Sequence, residues 1–136
     1  MTSASVRVLD SWAVVAWIRD EPAAGAVEDI LADAEAGTYT LLMSWYNVAE
    51  TFYSVAKRSN LQIAEEFMVR LPSLPIRIVL PNEDDIMAAA RIKANHALAF
   101  GDAFAIALAL TNHASVITGD DEIRRCELVP VDWVGG

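Results

Sequence analysis

Cysteine is almost absent from this chain. Cys126 is its one thiol, which excludes an intramolecular disulfide and a cysteine-built zinc site and makes a reducing compartment the simple expectation. Basic residues are scarce: ten lysines and arginines face nineteen aspartates and glutamates, for a formal net charge of −9. A chain this acidic does not hold nucleic acid by bulk electrostatics; to handle a phosphate polymer it needs local basic patches or bound cations. Long apolar runs are missing as well. The longest, Ala103 to Leu110, falls far short of the ~18 residues of a membrane span. Met1-Thr2-Ser3-Ala4-Ser5 has no charged segment leading into an apolar one, as a secretory signal would. A soluble cytoplasmic protein with no membrane association is expected. No Gly-x-Gly-x-x-Gly, phosphate loop or Gly-x-Ser-x-Gly occurs, so neither a nucleotide cofactor nor a hydrolase-type serine has a motif. His96 and His113 lack zinc-ligand spacing.

What is present is a globular composition. Hydrophobic residues make up 54% and charged residues 21% of 136 positions, which excludes a largely disordered chain and fits one domain spanning residues 1–136. The five prolines sit at breaks (Pro22, Pro72, Pro75, Pro81 and Pro130). Between them short β-like runs alternate with helical stretches. Strands are expected at 6–9, 39–43, 76–80, 115–118 and 128–131. Helices are expected at 11–19, 23–36, 45–58, 61–71, 82–95 and 101–111, with a short helical turn at 121–125. Gly37 is placed to end the second helix. Ser44 and Asn82 are placed to cap the third and fifth. Such alternation implies an α/β fold: a parallel sheet with helices on both faces. In sheets of this kind the working crevice lies beyond the carboxyl ends of the strands.

Carboxylates gather at that edge. Asp10 follows the first strand, and Asp120 follows the fourth through Thr118-Gly119. Asp102 opens a helix that is apolar on every side, so its first turn brings a carboxylate close to the core. Glu50 lies mid-helix, almost opposite a stripe of Trp45, Val48, Ala49, Phe52, Val55 and Ala56 at ~100° per residue. Desolvating like charges together costs several kcal/mol each. A divalent cation removes that penalty, and Mg²⁺ and Mn²⁺ prefer hard oxygen donors. Each acid has a plainer role available: Asp10, Asp102 and Asp120 as helix caps, Glu50 as a solvated surface charge. Asp121 and Glu122 read as solvated, with either able to lend an outer carboxylate. The residues alone leave these alternatives open.

In order and spacing the chain resembles the PIN-domain ribonucleases, and among them the toxin component of VapBC toxin–antitoxin pairs. The resemblance spans nearly the whole chain. It runs through Val8-Leu9-Asp10-Ser11, Ser44 to Glu50, Leu98 to Ala109 around Gly101-Asp102-Ala103, and Val116-Ile117-Thr118-Gly119-Asp120. It implies a three-layer PIN-like sandwich with a five-stranded parallel sheet. It also implies one or two Mg²⁺ or Mn²⁺ ions held by Asp10, Glu50, Asp102 and Asp120, with Ser11, Asn47 and Thr118 as polar neighbours. A homodimer and a tight complex with a VapB-like antitoxin follow from the same resemblance. Two features depart from the family pattern. Trp12 stands where a small or polar residue is common, and Asp121-Glu122-Ile123 leaves Asp121 as a rival to Asp120 for the fourth acid. Trp17, Trp45, Phe52, Tyr53, Phe67 and Met68 are either core or a partner surface.

The reading is a metal-dependent endoribonuclease acting as a toxin on RNA. Arg19, Lys57, Arg58, Arg91, Lys93, Arg124 and Arg125 are available as local phosphate contacts. The alternative is a non-catalytic PIN-like module that binds a partner and carries a degenerate acidic site. A phosphotransfer domain is less well supported: Ser11 and Trp12 follow Asp10 where a second aspartate would be needed, and no lysine follows the late strands.

Overall fold

The computed structural model describes residues 5–136; the signal-peptide reading of the first residues therefore rests mostly outside the described ones. Five strands and seven α-helices follow one another: β1 Ser5–Leu9, α1 Ser11–Ile18, α2 Ala24–Glu35, β2 Tyr39–Ser44, α3 Trp45–Arg58, α4 Leu61–Arg70, β3 Arg77–Val79, α5 Glu83–Asn95, α6 Phe100–Asn112, β4 Ser115–Thr118, α7 Asp121–Cys126 and β5 Val131–Trp133. The sheet order is β3-β2-β1-β4-β5, and every pairing is parallel. This is the α/β sandwich expected from the alternation.

Parallel strands bury both faces, and here successive residues serve opposite cores. Leu9, Leu41, Met43 and Ile117 pack under α1, α2 and α4 with Val14, Val27 and Phe67. Their neighbours Val8, Leu42 and Val116 pack against Ala105, Ile106 and Ala109 of α6 and Ile123 of α7. The alanines of α6 let it lie deep: Ala103 and Ala107 meet Ala89 of α5 without bulk between them.

Local chemistry sets the helix ends. Ser44 accepts from the Tyr46 amide at 3.2 Å. Asn82 and Asp85 form a reciprocal capping box. Gly37, at φ +84°, closes α2: its amide bonds Ala34 O and the Thr38 amide bonds Asp33 O, both at 3.0 Å, the paired bonds of a left-handed cap.

Two expectations are corrected. The last strand is Val131–Trp133, not 128–131. Glu127 takes a left-handed conformation after α7, and Leu128 and Val129 turn into the core from a loop. Pairing with β4 begins only at Val131. The apolar stripe on α3 is also displaced. Asn47, Val48, Thr51 and Val55 are buried, whereas Trp45 and Ala49 are exposed. The six large apolar residues divide accordingly: Phe67 is core, Trp17 and Met68 flank it, Phe52 packs on a smaller cluster, and Trp45 and Tyr53 face outward. Among the described residues no single helix is long and apolar enough to cross a membrane.

Ile106 is fully buried where α6 meets the sheet. Ile106→Ala should cost about 2–5 kcal/mol and lower the melting temperature by roughly 10 °C, read by thermal unfolding. A loss of less than two degrees would show that α6 is not packed as described.

Candidate active site

The carboxyl edge of the sheet places the acids. Asp10 follows β1 and is almost wholly buried. Its Oδ1 accepts from the Ala13 amide at 2.9 Å, and its Oδ2 accepts from the Thr118 hydroxyl at the end of β4. Thr118 Oγ1 in turn accepts from the Asp120 amide at 2.9 Å. Capping and site membership are therefore compatible: one oxygen of Asp10 caps α1 and the other is held toward β4. Asp120 likewise caps α7 through the Glu122 amide at 2.9 Å.

Asp102 caps nothing. Helix α6 is preceded by Ala99, with no side-chain cap, and Asp102 sits buried inside its first turn. Its Oδ2 has no hydrogen-bond partner. Buried polar atoms are nearly always paired; Asp102 Oδ2 and Asn47 Oδ1 are the two buried side-chain atoms without a partner among the described residues. Asp102, Asp120 and Glu122 bring one carboxylate oxygen each within 4.8 Å of one another.

Glu50 reaches the same hollow from α3. Its Oε1 accepts from the Ser11 hydroxyl and from Asn47 Nδ2 at 3.3 Å. Asn47 Nδ2 also donates to Gly101 O at 3.0 Å, tying α3 to the start of α6. Gly101 leaves room for this carboxylate: a Cβ on it would push the end of the Glu50 side chain aside. Glu50 thus lies at the border of the buried face rather than opposite it. The cleft encloses about 310 Å³, lined by Ser11, Trp12, Glu50, Asp102, Asp120 and Glu122 among others. Trp12 forms a wall with its outer ring against Gly119, where a Cβ would overlap it. Asp121 points away, paired with Arg124 and, at 3.6 Å, with Arg125. Of the two rivals, Asp120 is the one beside Asp102. Glu122, in sequence a solvated acid able to lend an outer carboxylate, takes the second role. It is exposed, but its position two residues after Asp120, in the first turn of α7, swings its carboxylate to the cleft.

Electrostatics follow from this crowding. Burial pushes the Asp10 carboxyl up to about 7, partly opposed by the Thr118 and Ala13 hydrogen bonds, with Asp120 and Glu50 adding repulsion. Burial also pushes Asp102 up to about 8, reinforced by Asp120, Asp10 and Glu50. The carboxylate donors contain only oxygens, and the one cation lining the cleft among the described residues, Arg58, is paired with Glu21. Such a set fits a hard divalent cation, Mg²⁺ or Mn²⁺, and suits a soft metal poorly.

A doubly wound parallel sheet with a carboxylate-rich cleft at its carboxyl edge defines the class: an α/β domain with an acidic site whose oxygens fit a hard cation. Residues 7–127 match the family model described as PIN domain, and the chain belongs to that family. No curated protein matches it by sequence. Its fold is similar to that of VapBC2 from Rickettsia felis bound to a promoter DNA fragment, at TM-score 0.73 and 15% identity over 93% of this chain and 97% of that one. The VapC20 toxin of Mycobacterium tuberculosis, described as cleaving the sarcin–ricin loop, gives 0.73 and 16% over 92% and 97%. FitAcB from Neisseria gonorrhoeae gives 0.64 and 23% over 92% and 95%.

Two outcomes test this site. The folded chain holds the Asp10 and Asp102 protons more tightly than the unfolded chain, whose aspartates titrate near 4. Metal-free stability should therefore fall as pH rises from about 4 to about 8 and level off beyond it. Asp102→Asn removes much of that loss: at pH 8.5 in EDTA it should stabilise the protein by on the order of 2–4 kcal/mol, and at pH 4 by almost nothing. Equal effects at both pH values would contradict the burial of this carboxylate. Gly101→Ala should displace Glu50 and weaken Mn²⁺ binding by at least about tenfold in calorimetric titration, with the fold retained by circular dichroism.

Proposed function

We propose that this chain is a Mg²⁺- or Mn²⁺-dependent endoribonuclease, the toxin of a two-component pair, acting in the cytoplasm and neutralised by a VapB-like antitoxin. The unpartnered Asp102 oxygen, buried among carboxylates that repel it, is the observation that carries this reading. Asp10, Glu50, Asp102 and Asp120 would hold the metal. When bound, it supplies Lewis acidity toward a phosphodiester oxygen and makes water a nucleophile near neutral pH.

The chain's own residues do the positioning. Thr118 fixes the Asp10 carboxylate and the Asp120 backbone together. Ser11 and Asn47 fix Glu50, and Asn47 anchors it to the backbone at Gly101. Asp102 carries a proton near neutral pH in the metal-free chain and gives it up as a cation binds, so metal affinity rises with pH through the range 6–8. A bound cation would offset part of the carboxylate charge and offer phosphate a local positive point despite the chain's net charge.

The likeness to VapBC and FitAcB structures supports an antitoxin partner. Trp45 and Tyr53, exposed on α3, are side chains of the kind that protein partners bury, and a homodimer is part of this proposal.

Purified, antitoxin-free protein incubated with total RNA should yield discrete fragments in Mg²⁺ or Mn²⁺ and none in EDTA. Asp102→Asn should reduce the rate by more than about 100-fold. Intact RNA together with no stabilisation by Mn²⁺ would favour instead a non-catalytic, partner-binding module.

A further inference from the structure

The acidic cleft continues past its carboxylates. Trp12 is its wall, and on the other side of that wall lies a second hollow of about 390 Å³. Trp12, Glu21 and Arg58 line both, so a chain molecule seated over the acids passes an indole and a guanidinium on its way into the second space. The chemistry of the two hollows differs. The first is lined by four carboxylates besides Glu21; the second is walled by Pro22, Ala23 and Val134 and has Glu21 as its one acid.

The indole is seated with little freedom. Its outer ring lies on Gly119, whose lack of a Cβ permits the contact, yet 36% of Trp12 remains open. Arg58 is the one cation lining either hollow among the described residues. Its Nη2 donates to Glu21 Oε2 at 2.8 Å, and its side chain is 48% exposed, which leaves outer N–H groups to donate. Glu21 is itself steadied by Arg19 at 3.4 Å.

We propose that Trp12 and Arg58 form a nucleotide subsite for single-stranded RNA beside the carboxylate cluster. One base stacks on the indole and reaches the apolar hollow, and the flanking phosphate is taken by Arg58. This rests on the ribonuclease reading above. A lone cation beside a flat, exposed aromatic and an apolar recess matches the two halves of a nucleotide. Unpaired bases offer a π-face that a duplex conceals, so the site selects single strands.

The test is a coupling measurement. Binding of fluorescein-labelled hexauridylate is followed by anisotropy in Mg²⁺, with Asp102→Asn as the parent so that the RNA stays intact. Trp12→Ala should weaken binding roughly 5- to 100-fold, and Trp12→Phe by less than about threefold. Arg58→Gln should lower the slope of log K against log salt by about 0.7. A single abasic nucleotide walked along the hexamer should weaken binding to the parent at one position and leave binding to the Trp12→Ala variant unchanged at that position. An abasic scan with no coupled position would show that Trp12 merely shapes the cleft and would overturn the subsite, as would unaltered binding by Trp12→Ala. A parent that melts normally but binds no hexamer would overturn the subsite, whereas the ribonuclease reading stands or falls separately on metal-dependent cleavage by the unmutated chain.

Discussion

Burial of carboxylates at the carboxyl edge of the sheet is the constraint on which this molecule turns. Asp10 and Asp102 both lie below the surface, where burial raises the proton affinity of each; Asp120 and Glu50 add to it for both, and Asp10 adds to it for Asp102. Left to relax, such side chains would swing to water. They are prevented because their backbones belong to the best-packed elements of the fold. Asp10 terminates the central strand of the sheet, and Asp102 stands in the first turn of a helix whose following residues are buried almost without interruption. Two cores, one on each face of the sheet, hold those elements in register. The stability of the scaffold is spent at its carboxyl edge, as expected where function needs strained electrostatics.

Small residues set how closely the parts approach. Gly101 lets the α3 glutamate lie against the backbone of α6, and Gly119 lets an indole lie against the turn after β4. Both are contacts between elements distant in sequence, and both border the cleft. The hydrogen bonds of Asn47 serve the same end, since one amide group reaches both Glu50 and Gly101. The cleft is shaped as much by what these two glycines omit as by what the acids provide.

Much of this was legible in the sequence, for physical reasons. Short β-branched runs separated by helical periods read correctly because each strand of a parallel sheet is buried on both faces. Asp10 and Asp120 could be located because strand ends are visible, and Asp102 because the helix it opens is apolar on every side. Glu50 could not be assigned by periodicity, because α3 buries the polar Asn47 and Thr51 and so shifts its inner face away from the apolar stripe; only the family resemblance pointed to it. Asp102 invited a capping role until its place within the first turn was seen. Glu122 could be read only as a solvated acid or an outer carboxylate, because charge alone does not tell that a helix start can aim an exposed acid sideways into the cleft. The strand after α7 was misplaced because Leu128 and Val129 are apolar for the sake of the core and not of a sheet.

The Thr118–Asp10 hydrogen bond joins residues 108 positions apart. Strand β1 is made first yet must wait for β4, made near the end, before its terminal aspartate acquires a partner. In a chain emerging from the ribosome, the carboxylates therefore remain scattered until nearly all of the domain has been synthesised and β4 has docked. Closing so long a loop is slow relative to local helix formation. In a nascent chain the Asp10–Thr118 contact is thus among the last parts of the site to form, after β4 has paired with β1.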